Sequence, residues 1–138
     1  MAGVTLAVFR QYYGEDRTAA ELARISDEQW GMIMKRYWDQ VKGDSIVNQS
    51  IAELVADWNV NSGRSGIKAL QRAIGLEPDG IIGPKSLSVL NSPNQAVIFN
   101  RIYQAREKFF LAIVKNNPSQ KVFLNGWMNR LRLFSFSE

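Results

Sequence analysis

The sequence predicts an all-α fold, and three observations carry that prediction. Apolar residues recur at helical spacing in successive stretches. Helix start and stop signals separate those stretches. No segment shows sustained period-two alternation, so no strand is expected beyond a short extended piece around Ile81-Ile82.

The elements follow in order. Thr18-Ala-Ala-Glu21 and Ser26-Asp-Glu-Gln29 both fit a capping box, a hydroxyl followed three residues later by Glu or Gln. After the second box, Trp30, Ile33, Met34, Tyr37, Trp38 and Val41 lie on one helical face. Ile51, Leu54, Val55 and Trp58 form the next face, stopped by Asn61-Ser-Gly63. Ile67, Leu70 and Ile74 form another, stopped by Gly75, which suits the left-handed position after a helix. Leu76 to Pro84 reads as a compact turn with two buried isoleucines, and Pro84 opens a short helix over Leu87 and Leu90. Asn94 is placed to cap the longest helix, with Ile98, Ile102, Ala105, Phe109, Ala112 and Ile113 as its stripe. Asn116-Asn-Pro118 ends it. Ser119 then starts a last helix carrying Phe123, Trp127, Leu131 and Phe134.

Composition narrows the chemistry. The 138 residues amount to one domain and suffice for a sizeable core. There is no Cys and no His. Disulfides, thiolate nucleophiles, zinc sites built on Cys or His and all Ser-His or Cys-His triads are excluded. No cofactor and no metal site is expected. No apolar run reaches the roughly 20 residues of a membrane span, and no secretory signal is recognisable. The formal net charge is +4, which favours a polyanionic partner: nucleic acid, anionic membrane or bacterial cell wall.

The sharpest motif is Leu70-Gln-Arg-Ala-Ile-Gly-Leu-Glu-Pro-Asp-Gly-Ile-Ile-Gly-Pro-Lys-Ser-Leu87. On physics alone it is a helix-turn-helix corner that packs. Its Asp79, Gly80, Gly83, Pro84, Lys85 and Ser86 also resemble the D-G-x-x-G-P-x-[ST] signature of small peptidoglycan-binding repeats, with Ser where Thr is commoner. Gly3-Val-Thr-Leu6, Tyr37-Trp-Asp39, Asn48 to Gly63, Arg106, Asn117 to Gln120 and Phe123 to Arg130 extend the likeness over Gly3 to Phe134. Together they resemble the phage-type N-acetylmuramidases of glycoside hydrolase family 108, some of which carry the label "secretion activator protein".

That resemblance implies a compact, lysozyme-like helical domain of about six to eight helices. It implies residues 1–44 as the remainder of a muramidase catalytic segment and 45–138 as a peptidoglycan-binding-like segment, packed as one body. It implies peptidoglycan glycan strands as the partner, with cleavage of N-acetylmuramic acid linkages in the complete family design. The family's catalytic Glu lies in an E-G-G segment some twenty residues before the G-[IV]-T. No Glu-Gly-Gly occurs in this sequence, and Glu15 and Asp16 do not carry over. Glycoside hydrolysis needs a general acid, so weak or absent turnover is expected, with wall affinity retained.

Asp57 is the internal carboxylate proposed as a catalytic substitute. It borders an apolar face beside Trp58 and lies one turn from Glu53, and both surroundings raise a carboxyl pKa. The alternative is a solvated acid, or one pinned by an arginine such as Arg64. Thr5, in the G-[IV]-T match, is a supporting hydroxyl or a helix cap. Candidate substrate-binding residues are Tyr37, Trp38, Asn59, Asn61, Ser62, Asp79 and Lys85. Of the four tryptophans, Trp38 is the one assigned to sugar stacking and the others to the core. Tyr12-Tyr13 is a weaker aromatic pair.

Lys115, Lys121, Arg130 and Arg132 cluster late in the chain. They read as a solvated face with Arg near a helix end, and no nucleic-acid motif accompanies them. The competing class is a non-enzymatic polyanion-binding or regulatory protein, or a partner in a lysis or secretion assembly. Without the family's first helix, an exposed apolar groove is expected near Val4, Phe9 or Trp58, with either lower stability or homodimerisation over it. The place of action implied is the periplasmic cell wall, reached without a signal peptide or by phage release.

Overall fold

The computed structural model describes residues 27–138. Among the described residues there are five α-helices and no strand. They are α1 (Asp27–Gln40), α2 (Gln49–Ala73), α3 (Pro84–Leu90), α4 (Gln95–Asn116) and α5 (Lys121–Leu131). Short 3₁₀ turns occupy Gly43–Ser45 and Pro118–Gln120. The architecture is all-α as expected, although five helices fall below the six to eight expected of the whole chain. The first capping box, Val4, Thr5, Phe9, Tyr12-Tyr13, Glu15, Asp16 and Ser26 lie outside the described residues.

In α1 the apolar face is graded. Ile33 and Val41 are buried, Met34, Tyr37 and Trp38 are half-buried, and Trp30 is exposed. Trp38 is fixed by the turn that follows. Its Nε1 donates to Asp44 Oδ1 at 2.9 Å. Its indole lies so close to the Gly43 backbone that a Cβ there would fall 2.1 Å from Cε2.

Helix α2 is the central element. Asn48 caps it, with Oδ1 accepting from the Ile51 N–H at 3.0 Å. Ile51, Leu54, Val55 and Trp58 are fully buried, as their spacing predicts. Asn61-Ser-Gly63 produces a break within the helix, not its end. Gly63 adopts φ 57 and ψ −142, a conformation closed to residues with a Cβ, and helical backbone resumes at once. The second half buries Ile67 and Leu70 and ends in a Schellman motif. There the Leu76 N–H donates to Gln71 O at 2.8 Å and Gly75 to Arg72 O at 3.2 Å, with Gly75 at φ 82.

One expectation in the following turn needs correction. Ile82 is buried but Ile81 is 60% exposed, because successive side chains of an extended segment point to opposite sides. That segment is the short extended piece expected, and it pairs with no strand among the described residues. Pro84 does open α3.

Helix α4 begins after Asn94, whose side chain makes no capping bond. Gln95 folds back instead, its Nε2 donating to the carbonyls of Leu90 and Ser92. The buried face is Ile98, Phe99, Ile102, Arg106 and Phe110, while Ala112 is exposed. In α5, Leu131 is buried and Trp127 half-buried, but Phe123 is 51% exposed.

The chain after α5 packs back on the core. Phe136 meets Phe99 at 5.7 Å between ring centroids. Ser137 is held by α2: its N–H donates to Ser50 Oγ at 2.9 Å and its carbonyl accepts from Asn48 Nδ2 at 2.9 Å. The core lies mainly between α2 and α4, with α1 and α5 closing its sides. Trp58, named with the exposed groove, is instead fully buried and edge-on to Phe109 at 5.6 Å.

The Gly63 break sets the direction of both halves of α2. Gly63→Ala is expected to lower unfolding free energy by roughly 1–3 kcal/mol, read from the urea midpoint. An unchanged midpoint would show that the break tolerates a Cβ.

Candidate glycan-binding cleft

Two hollows open on the face where α1 crosses α2, and Tyr37 forms a wall of both. One, of about 280 Å³, is lined by Trp30, Met34, Tyr37 and Trp38 of α1, Glu53 and Asp57 of α2, and Arg130 and Phe134 beyond. The other, of about 300 Å³, is lined by Tyr37, Gln40, Asn59, Gly63, Arg64 and the Gly80-Ile81-Ile82 segment. Aromatic faces with a few polar groups suit a sugar, whose rings carry apolar faces and hydroxyl rims.

The structure thus brings together Tyr37, Trp38, Asn59 and Asp57 among the residues singled out from the sequence. Asn59 is buried, and its Nδ2 donates to Tyr37 O at 3.1 Å and Gln40 Oε1 at 3.0 Å. It ties α1 to α2 and holds the Tyr37 backbone, a positioning task more than a ligand contact. Asn61 is exposed, with Nδ2 3.4 Å from Asp57 Oδ2. Ser62 is half-exposed next to the Gly63 break.

Asp57 does not sit as a proton donor must. It is 9% exposed, and its neighbours are two guanidinium groups. Arg106 Nη2 of α4 donates to Oδ2 at 2.7 Å. Arg130 of α5 donates to Oδ1 through Nε at 2.9 Å and also through Nη2. Both carboxylate oxygens are therefore acceptors of charge-assisted bonds, and no edge is left for a glycosidic oxygen. Glu53, one turn earlier, is exposed and takes Gln49 Nε2 at 3.1 Å. The expected pinning is real, but Arg64 is not the agent; Arg64 Nη2 donates to the Asp79 carbonyl at 2.9 Å.

Arg106 was missed as a functional residue from sequence, and so was the pairing of Arg130 with Asp57. Arg106 is fully buried, with Phe110 and Phe134 rings 5.4 and 5.8 Å from its guanidinium carbon. Burial pushes its pKa below the usual arginine value, and the Asp57 charge opposes that shift. The available signal was an arginine inside an apolar stripe, four residues after Ile102 and four before Phe110.

Asp79 and Lys85 lie elsewhere, around a separate hollow of about 510 Å³ at the Asp-Gly corner. The corner is organised by Gln71, a buried side chain also missed from sequence. Its Nε2 donates to Asp79 Oδ1 and Ile81 O, both at 2.9 Å, and to Ser86 Oγ at 3.2 Å. Its Oε1 accepts from the Gly80 N–H at 2.8 Å. Gly80 has φ 80, and a Cβ there would strike the Arg64 side chain. The Asp79, Gly80 and Ser86 positions of the signature are thus explained by the turn itself. Lys85 is exposed on the rim.

The Ile81 N–H, then the Gln71 amide, hold the Asp79 carboxyl below its ordinary range. A lowered carboxyl stabilises the fold above its unfolded pKa and loses that contribution as pH falls through the folded value. Thermal melts from pH 6 to pH 3 are expected to show this, with a shallower acid decline in Asp79→Asn; an identical decline would place the acid sensitivity elsewhere. Asp57→Asn is expected to cost roughly 3–5 kcal/mol, because it leaves two arginines without their counter-charge. Glu53→Gln should stay within about 0.5 kcal/mol by the same denaturation assay.

Residues 1–63 match the family described as Glycosyl hydrolase 108, and residues 65–132 match the Predicted Peptidoglycan domain. No curated protein sequence matches the chain. Among solved structures, that of SagA from Brucella abortus is 27% identical with a TM-score of 0.80, covering 94% of this chain and 73% of the SagA chain. The chain therefore joins a segment matching glycosyl hydrolase 108 to one matching a peptidoglycan domain, and is a peptidoglycan-binding, lysozyme-like cell-wall protein.

Proposed function

We propose that the protein holds peptidoglycan glycan strands in the two hollows that meet at Tyr37. The observation that carries this reading is their position. They lie where the hydrolase match gives way to the peptidoglycan match, between residues 63 and 65, and residues of both segments line the same hollow. A glycan strand is long and needs successive subsites. Two adjoining hollows with a shared aromatic wall supply them, and Trp38 and Trp30 add stacking faces beside Tyr37. The larger hollow at the Asp-Gly corner is less suited, because Gln71 and Asp79 spend their polar atoms on each other and on the backbone.

Cleavage of N-acetylmuramic acid linkages is the reaction this cleft would serve in the family design. Within the described residues, Asp57 contributes charge balance under the cleft floor, not proton transfer. Asn59 positions the Tyr37 backbone, and Asn61 and Ser62 supply hydrogen-bonding groups at the Gly63 break. Thr5 is proposed as the supporting hydroxyl. The site of action is the wall, where the polymer is found.

Co-sedimentation with purified peptidoglycan tests the placement. Tyr37→Ala is expected to weaken binding about tenfold, the equivalent of roughly 1.4 kcal/mol. Lys85→Ala, at the corner, should leave it unchanged. Loss on Lys85→Ala with none on Tyr37→Ala would move the site to the corner.

A further inference from the structure

We propose that the tip of the α4–α5 hairpin docks on anionic phospholipid bilayers. From Lys108 to Ser137 the chain carries Lys108, Lys115, Lys121, Arg130 and Arg132 and no acidic residue. Two of these cations are engaged internally. Arg130 serves Asp57, and Arg132 Nη1 donates to Asn129 Oδ1 at 3.0 Å. Lys108, Lys115 and Lys121 are exposed. Helix α4 ends at Asn116 and α5 begins at Lys121, so Lys115 and Lys121 flank the connecting turn.

Large apolar side chains stand beside those lysines. Val122 is 76% exposed and Phe123 51%. On α4, Leu111 is 49% exposed, between Lys108 and Lys115 at helical spacing. The Phe123 ring is not loose. It stacks on Trp127 at 6.0 Å between centroids, and Trp127 leans on Phe110 at 5.3 Å. A supported ring presented to water at the end of a hairpin is a preformed anchor.

The combination selects its occupant. A bilayer interface takes apolar side chains below the phosphate level and lysine ammonium groups at it. Juxtaposed lysines gain from an anionic leaflet and little from a neutral one. A polyanion without an apolar layer, such as duplex DNA, would satisfy Lys115 and Lys121 but leave Val122 in water. Among the described residues no helix is long and apolar enough to cross a membrane, so the contact is peripheral. None of the cleft residues takes part, so this proposal does not rest on the glycan reading.

The test is co-sedimentation with phosphatidylcholine vesicles and with equimolar phosphatidylcholine–phosphatidylglycerol vesicles at low salt. Binding is expected to the second and not the first. Lys115→Ala and Lys121→Ala should each reduce it about fivefold. Val122→Ser and Phe123→Ser should each reduce it severalfold, with peptidoglycan binding intact. Val122 supplies the safer variant, since Phe123 also supports Trp127, and thermal melts check that both variants fold. Absence of binding to the anionic vesicles would overturn the proposal. So would binding that survives both Val122→Ser and Phe123→Ser, or tighter binding to duplex DNA than to vesicles.

Discussion

The Asp57 carboxylate, held between Arg106 and Arg130, joins the three helices on which the rest of the structure depends. Asp57 comes from α2, Arg106 from α4 and Arg130 from α5. Two cations and one anion beneath a cleft are costly to desolvate, and such clusters persist when each charge is matched by geometry. Here the matching is uneven. Among the described residues, Arg106 Nε and Nη1 have no hydrogen-bond partner, and the faces of Phe110 and Phe134 offset part of that cost. The cluster fixes the angle of α5 and the path of the following chain. It thereby places Arg130 and Phe134 in the wall of the hollow opposite Trp30 and Trp38. The shape of the cleft is a consequence of where this carboxylate sits.

Much of the fold was legible because its punctuation is local. Pro84 at a helix start, Gly75 after a helix end and Asn48 before α2 act through their own backbone geometry, which neighbours rarely override. The apolar spacing of Ile51, Leu54, Val55 and Trp58 marked a buried face for the same reason. The Gly63 signal was read correctly as a break and incorrectly as an end, since nothing local says whether a helix resumes. The candidate site was legible in its aromatic half. Tyr37 and Trp38 share a helical face with Ile33 and Val41, so their position at the edge of the core follows from periodicity.

The polar half was not legible, because it depends on partners far apart in sequence. Asp57 and Arg130 are 73 residues apart, and Gln71 meets Ser86 across a turn. An acid beside Trp58 suggested a proton donor; two arginines arriving from α4 and α5 occupy both of its oxygens instead. The signature at Asp79, Gly80 and Ser86 had a similar fate. Asp79 looked like a ligand contact, and the structure gives it, with Gly80 and Ser86, a task in folding the corner around Gln71. A motif shared by a family marks a shared turn as readily as a shared ligand.

The central claim is that glycan lies against α1 and α2 at Tyr37, away from the Asp-Gly corner. The most direct measurement is a titration of ¹⁵N-labelled protein with soluble peptidoglycan fragments, following amide and indole N–H resonances. Saturable shifts are expected at Trp30, Tyr37, Trp38 and Ser62, with the buried Trp58 indole moving little. Shifts confined to Gly80, Ile81 and Lys85 would contradict it.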